Sequence, residues 1–359
     1  MALPPSNGKT LLVTGINGYI ASSLGELILS KGYNLRGTSR SLASTDLLVN
    51  GAYAAYASRI EILEVPDMTV PGAFDKAVEG VHGIFHTASP ISFYLQTYEE
   101  VIIPAVAGTV TLLNSALEHA GPQLEAVVVT SSAATIVDPK PDPGYVFTEA
   151  DFASHALKVS EANKAEGKDT SGAVLYPASK QAAEKAVWDF KAEKKPHFAI
   201  STVNPTVTIG PPVQPPSSPS KLNTTLIPTY NIFKGDPIPA SIGSGSFVDV
   251  RDVALVHMWA YEHSDIANGE RYIACQGYGP PQATADVLRE AYPDRRDVIQ
   301  AGMPGEGYIG YENGVVKEVK FLEGRVSVSG QKAERVMGIK FRTFKESLLE
   351  TAKFMEMYL

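Results

Sequence analysis

The segment from Thr10 to Thr38 constrains the fold more than any other. Thr10-Leu11-Leu12-Val13-Thr14-Gly15 is a short apolar run that stops on glycine. Such a run suits a strand buried in a parallel sheet. Gly15-Ile16-Asn17-Gly18-Tyr19-Ile20-Ala21 follows directly. Leu24, Leu27 and Ile28 then recur at helical spacing as far as Lys31-Gly32, and a second strand pattern runs from Tyr33 to Thr38. Strand, glycine turn, helix and strand in this order predict an α/β fold: a Rossmann-type, doubly wound parallel sheet. One glycine allows a sharp turn and another lets the backbone approach a pyrophosphate. The small residue after them lets helix and strand pack closely. The phosphates then sit at the helix N-terminus, where free N–H groups favour anions.

The end of the second strand selects the cofactor. A dinucleotide site for NAD puts Asp or Glu here to bond the ribose hydroxyls. This chain reads Arg36-Gly37-Thr38-Ser39-Arg40-Ser41, with no carboxylate. Arg40 can meet a 2'-phosphate with a planar donor set, and Ser39 or Ser41 can add hydroxyls. The expected cofactor is NADP(H).

Further strand patterns follow at Ile60 to Val65, Val81 to Thr87, Leu124 to Thr130 and Ala199 to Val203. After the first of these, Asp67 can bond an adenine amino group and Met68 can pack on its face. The next ends in His86-Thr87-Ala88-Ser89-Pro90, small residues that leave room for a ligand at a strand's C-terminal end. His86 reads as a packed strand histidine rather than a base. Phe93, Tyr94 and Tyr98 follow in an expected loop and can line an apolar pocket. Val101 to Ala120 reads as a long helix. Residues 138–172 read as loop-rich, and 300–328 give no clear pattern.

Two later features supply chemistry. Thr130-Ser131-Ser132-Ala133 puts hydroxyls at a strand end, and Ser132 can donate a hydrogen bond to a carbonyl oxygen. Tyr176-Pro177-Ala178-Ser179-Lys180 opens an Ala-, Glu- and Lys-rich helix, with Pro177 read at its start. Tyr176 and Lys180 share one face of it. An ammonium beside a phenol favours the phenolate, so Lys180 is expected to lower the Tyr176 pKa. A tuned phenol can pass one proton while a cofactor passes a hydride.

Other chemistries find little material. Net charge is −8, which argues against nucleic acid as a partner. The one cysteine, Cys275, leaves no internal disulfide and fits a reducing compartment. No phosphate-binding GxxxxGK[ST] loop, GxSxG elbow or HxxxH pair occurs. No run is expected to reach the length of a membrane span, and Met1 to Lys9 does not read as a signal peptide. A cytoplasmic protein, monomer or homodimer, with no membrane partner, is the expectation.

Taken together, these motifs resemble the extended short-chain dehydrogenase/reductases, in particular the fungal NADPH-dependent aldehyde and ketone reductases and the plant dihydroflavonol reductases. The matching residues are Thr14-Gly15-x-x-Gly18-x-x-Ala21, Arg40, Asp67-Met68, His86 to Pro90, Thr130-Ser131-Ser132, Tyr176-x-x-x-Lys180, Asn204-Pro205 and Phe247-Val248-Asp249-Val250-Arg251-Asp252. The resemblance implies Tyr176 as proton donor, Lys180 on the nicotinamide ribose and Ser132 placing the carbonyl. It implies cofactor contacts from Thr14, Gly15, Asn17, Gly18, Tyr19, Ile20, Arg40, Asp67, Met68, Thr87, Ala88, Ser89 and Thr130. Tyr176, Lys180, Pro205, Thr206 and Val207 complete that set. Pro90, Phe93, Tyr94, Ser132, Ala133 and Thr206 would line the substrate pocket, and no metal takes part. One departure stands out. The long helix reads Pro104-Ala105-Val106-Ala107-Gly108-Thr109, without the Asn that many extended members carry ahead of the Gly-Thr.

The expected activity is NADPH-dependent, stereoselective reduction of small aldehydes, ketones and keto esters by hydride transfer from C4. The alternatives are a hydroxysteroid- or flavonoid-type dehydrogenase, a sugar-nucleotide enzyme using Arg271, Arg289, Arg295 and Arg296, and a non-enzymic NADP-binding regulator. Residues 1–205, rejoined by 244–268, are expected to form the cofactor domain. Residues 206–243 and 269–345 would form an α/β substrate lobe, with 346–359 a C-terminal helix.

Overall fold

The computed structural model describes residues 4–89, 97–139 and 142–359. The chain divides into two compact units. The first comprises Met1–Pro139, Glu149–Asn204 and Ala254–Tyr272; the second comprises Lys140–Thr148, Pro205–Val253 and Ile273–Leu359. The return to the first unit thus begins at Ala254, later than the expected 244. The C-terminal helix belongs to the second unit.

Seven strands form the main sheet. They are β1 (Thr10–Thr14), β2 (Asn34–Ser39), β3 (Ile60–Glu64), β4 (Gly83–His86), β5 (Ala126–Thr130), β6 (Ala199–Pro205) and β7 (Arg271–Ala274). Their spatial order is β7-β6-β5-β4-β1-β2-β3. The pairs β1–β2, β2–β3, β1–β4, β4–β5 and β5–β6 are parallel. Sequence order therefore reverses between β1 and β4, the crevice where open sheets of this kind bind ligands. Register sets Thr14 opposite His86 and Thr130 opposite Val203, so the hydroxyl-bearing strand ends share one edge. Leu11, Leu12 and Val13 are fully buried, as expected of a strand covered on both faces.

Three helices of this unit position the site. Tyr19–Ser30 follows the glycine turn. Tyr98–His119 starts at a Thr97 cap, whose hydroxyl accepts from Glu100 N at 3.3 Å. It is long and apolar enough to cross a membrane, against expectation, but Val101, Ile102, Leu112, Leu113 and Ala116 are buried as core. Tyr98 opens this helix instead of lying in a loop, with the Lys164 ammonium 4.3 Å over its ring. Gly172–Lys194 carries the Tyr176 face. Pro177 lies inside this helix, not at its start. The amide it lacks would have bonded Ala173 O, and Ala173 is exposed, so water can serve that carbonyl.

The loop-rich reading of 138–172 misses a helix, His155–Ala165, whose only fully buried residue is Ser160. With so narrow a buried stripe the sequence carries little apolar periodicity. Between β2 and β3, Leu42–Thr45, Leu48–Ala52 and Ala54–Arg59 form short helical turns.

The second unit holds a small sheet in the order Gly277–Tyr278, Ser246–Asp249, Val207–Ile209. Val146–Phe147 pairs with Ser327–Val328, which ties residues 142–148 to this unit. Ile309–Glu312 and Val315–Lys320 form a hairpin inside the stretch that gave no clear pattern. Asp249 binds Arg251 through Nε and Nη2, and Asp252 binds Arg342. The helix Phe344–Met355 starts with a capping box between Thr343 and Glu346.

Candidate active site

The glycine turn has the geometry a pyrophosphate needs. Gly15 has φ +67°, and a β-carbon there would come within 3.2 Å of Ala88 Cβ. Any side chain would be strained and would press on Ala88, just past the end of β4. Gly18 is the helix N-cap and gives its N–H to Gly15 O at 2.8 Å. No side chain caps this helix and no acid lies in its first turn, which holds Tyr19 and Ile20, both half-buried. That is the donor chemistry a phosphate fits. Thr14 locks the turn onto β4. Its hydroxyl accepts from Thr87 N at 3.1 Å and Ala88 N at 3.0 Å, and the Thr87 hydroxyl donates to Thr14 O.

Arg40 follows β2, exposed, with no ion pair among the described residues. Its guanidinium can take a phosphate without first giving up a carboxylate. Ser39 is buried and committed to Ser44 Oγ at 2.7 Å, near Asn17 Oδ1 at 3.4 Å. Asp67 is exposed, and its Oδ1 accepts from Thr69 N at 2.8 Å and Thr69 Oγ1 at 2.7 Å. These bonds hold its carboxyl below the usual range. Met68 packs against the core and so near Gly108 that a β-carbon there would lie 2.5 Å from its methyl group. The small residue in the long helix thus makes room for Met68.

At the end of β5 three hydroxyls face three ways. Thr130 Oγ1 meets His257 Nε2 at 2.7 Å. Ser131 Oγ donates to Glu184. Ser132 Oγ accepts from Ala134 N at 3.1 Å and from the Tyr176 hydroxyl at 3.4 Å. Ala133 is buried beside it. Lys180, one helical turn after Tyr176, is buried with its Nζ 3.5 Å from Thr130 O. Ser132, Tyr176 and Lys180 thus come together within the first unit, while Pro205, Thr206 and Val207 lie in the second. There Thr206 N and Oγ1 bond Ala274 O at 3.0 and 3.2 Å. Pro90, Phe93 and Tyr94 lie outside the described residues.

The Tyr176 expectation needs correction. Burial raises its pKa, only partly offset by the bond to Ser132. Burial likewise pulls Lys180 down to about 8, against the opposing charge of Glu184. In the polypeptide alone, removal from water outweighs charge pairing. Tyr176 is thereby held as a neutral phenol, a state that donates a proton.

Sequence reasoning missed a group behind these residues. Glu184, one turn beyond Lys180, accepts from Ser131, from Thr135 Oγ1 at 2.6 Å and from Asn204 Nδ2 at 2.8 Å through Oε2. Its Oε1 pairs with Arg271 Nε at 2.6 Å, both side chains being almost fully buried. Arg271 also donates to the carbonyls of Thr135, Glu149 and Asp151. The spacing from Lys180 to Glu184 was the available signal. Arg289, Arg295 and Arg296 likewise spend donors on backbone carbonyls of their own surroundings.

The sheet, the glycine turn and the Ser-Tyr-Lys cluster at the strand ends define a dinucleotide-binding protein of Rossmann type. The chain belongs to the NAD dependent epimerase/dehydratase family, whose model matches residues 11–275. It is 33% identical over 355 residues to an uncharacterized oxidoreductase of Saccharomyces cerevisiae, YDR541C, covering 96% of each chain. It is 33% identical over 303 residues to aldehyde reductase 2 of Sporidiobolus salmonicolor, covering 84% of this chain and 85% of that one. Among solved structures it is similar to yeast methylglyoxal/isovaleraldehyde reductase Gre2 complexed with NADPH. That likeness has a TM-score of 0.81 and 28% identity, over 96% of this chain and 98% of the other.

Proposed function

We propose that this protein is an NADPH-dependent carbonyl reductase acting on small aldehydes, ketones and keto esters, with Tyr176 as the proton donor. The observation that carries the reading is the pair of hydroxyls on Ser132 and Tyr176, 3.4 Å apart, with Lys180 buried one turn below. A carbonyl oxygen set between the two hydroxyls would accept from both. Ser132 already accepts from Ala134 N, which fixes its oxygen and leaves its proton for the substrate. Burial keeps the Tyr176 phenol protonated until negative charge develops on the oxygen it faces. Lys180 stabilises the phenolate left behind. NADPH, when bound, supplies the hydride. Gly15, Gly18 and the uncapped helix start would hold its pyrophosphate, and Arg40 its 2'-phosphate. With the oxygen held by these hydroxyls and the hydride delivered from one side, unequal room for the two carbonyl substituents would favour one product enantiomer.

The relatives' names support the substrate class, since they include an aldehyde reductase and a methylglyoxal/isovaleraldehyde reductase. A sugar-nucleotide substrate would need free cations, and Arg271, Arg289, Arg295 and Arg296 all bind carbonyls of this chain. The test is NADPH oxidation with methylglyoxal, isovaleraldehyde and a β-keto ester. Turnover with the wild type and loss with Tyr176→Phe are expected. No turnover across the panel, or full rate in the variant, would sink the reading.

A further inference from the structure

Ser132 is held through its backbone as well as its side chain. It is extended, with φ −162° and ψ 154°, and opens a single helical turn, Ala133–Thr135. Its carbonyl oxygen accepts from Thr135 N at 3.0 Å, Thr135 Oγ1 at 2.8 Å and Asn204 Nδ2 at 3.4 Å. Two further carbonyls of the turn are held from outside it. Ala134 O accepts from Gln181 Nε2 at 3.1 Å, and Thr135 O from Arg271 Nη2 at 3.0 Å. Gln181 lies on the helix that carries Tyr176, Asn204 on β6 and Arg271 at the start of β7. All of these residues belong to the first unit.

One carboxylate gathers these holds. Glu184 Oε2 accepts from Ser131 Oγ, from Thr135 Oγ1 at 2.6 Å and from Asn204 Nδ2 at 2.8 Å. Oε1 accepts from Arg271 Nε at 2.6 Å and from Trp188 Nε1 at 3.2 Å. Thr135 Oγ1 has two donors of its own, Asn204 Nδ2 at 2.9 Å and Arg271 Nη2 at 3.1 Å. With its lone pairs engaged, its one proton lies between Glu184 Oε2 and Ser132 O. Glu184, Thr135, Asn204 and Arg271 are all buried, so water does not compete for these bonds. Desolvation offsets most of the attraction in a buried ion pair, and apolar packing can give similar stability. An apolar side chain at 184 could not accept these bonds. An amide could not accept them all either: its NH2 would meet the N–H groups of Asn204 at one end, or of Arg271 and Trp188 at the other.

We propose that Glu184 is a positioning residue for Ser132: its carboxylate, through Ser131, Thr135 and Asn204, ties the Ser132 turn to the helix of Tyr176. Glu184 stands two helical turns after Tyr176, so phenol and carboxylate are fixed on one rigid element. The phenol faces the Ser132 hydroxyl at 3.4 Å, and the carboxylate grips the turn behind it. Glu184 thereby sets the gap between the two hydroxyls that receive the carbonyl oxygen, and acts on that oxygen only through Ser132. Such placement tolerates little error, since a shift of about 1 Å can cost about 10²-fold in rate.

In this role Glu184 rests on the carbonyl-reductase reading, and the test therefore has a kinetic and a geometric arm. The kinetic arm measures kcat and KM for methylglyoxal reduction by the wild type, Glu184→Gln, Thr135→Val and Thr135→Ser, each also in a Ser132→Ala background. Thr135→Val removes the hydroxyl and strands no charge, because Arg271 keeps both Glu184 Oε1 and Thr135 O. Glu184→Gln and Thr135→Val should lower kcat about tenfold to a hundredfold with NADPH affinity unchanged, and Thr135→Ser should retain most of the wild-type rate. In the Ser132→Ala background the first two substitutions should change kcat by no more than about twofold, because their route to the carbonyl is already cut. Equal losses in both backgrounds would leave Glu184 a structural role alone and overturn the proposal, as would a wild-type kcat in Thr135→Val. If Glu184→Gln does not fold, Thr135→Val and Thr135→Ser decide. In the geometric arm, a crystal structure of Thr135→Val should show the Ser132 and Tyr176 hydroxyls farther apart than one of the wild type. The same separation in both overturns the proposal whatever the activity. A wild type that turns over no carbonyl would instead refute the carbonyl-reductase reading, and the geometric arm would still decide the role of Glu184.

Discussion

Removing one oxygen from Tyr176 separates proton delivery from everything else the site does. Tyr176→Phe keeps the ring and loses the hydroxyl bonded to Ser132. General acid catalysis contributes typically about 10²–10⁴-fold, so kcat should fall in that range while NADPH binding changes little. Titrating NADPH fluorescence against both proteins checks the second half. Arg40→Ala addresses the cofactor choice. A charge-assisted contact is worth about 1.5–3 kcal/mol, so the NADPH KM should rise roughly tenfold to a hundredfold and the NADH KM should hardly move. An equal change for both cofactors removes Arg40 from this role. His86 gives a third outcome. Its folded pKa, about 3, lies below the unfolded reference of 6.5. The unfolded chain therefore binds a proton that the folded chain refuses. Stability from this group is complete above 6.5 and is lost as pH falls from there toward 3, by about 1.4 kcal/mol per unit. Denaturant melts between pH 7 and 5 should show a shallower acid loss in His86→Gln. At this scale the sequence was informative about identity and poor about environment. Spacing alone picks out Tyr176 and Lys180, but the direction of the Tyr176 shift depends on burial, which sequence neighbours do not set.

The helix Gly172–Lys194 works as a ruler against the strand ends. Its Tyr176, Lys180 and Glu184 are successive i+4 positions, and Glu184 anchors the third to Ser131, Thr135, Asn204 and Arg271. Truncating one member of a buried ion pair costs about 3–5 kcal/mol because the other charge is stranded. Glu184→Ala should lose stability of that size by denaturant melt, and an unchanged midpoint would mean that the pair is dispensable. The helix itself was legible from its composition. Its anchor was not, because Asn204 and Arg271 become neighbours of Glu184 only after β6 and β7 join the sheet. The hairpin at 309–320 failed for a different reason. Asn313 and Gly314 have φ +51° and +82°, the positive pair that a two-residue hairpin turn requires. The Asn-Gly signal was present, but the flanking Ile309–Glu312 and Val315–Lys320 are largely exposed and give weak alternation. Where burial is slight, patterning has little to report.

The first unit is assembled from three separated stretches of chain, and the last, Ala254–Tyr272, is short but central. It brings His257 to Thr130, sets Tyr261 edge-on to Phe85 with centroids 5.9 Å apart, and supplies Arg271 to Glu184. Each of these partners lies on β4, on β5 or on the Tyr176 helix, the elements that carry the site. A chain ending at Asn204 would keep every residue of the Ser-Tyr-Lys cluster and the glycine turn. It would nevertheless strand the Glu184 carboxylate without its cation and uncover the apolar surface under Tyr261. Both losses fall on a domain whose total stability is about 5–15 kcal/mol. Such a chain should show no cooperative melt and no NADPH binding. Joining Ala254–Tyr272 to Asn204 through a flexible Gly/Ser linker should restore the melt, because linker length adds only slowly to the closure cost. A cooperative melt from the chain ending at Asn204 would show that the returning segment decorates the unit rather than completing it.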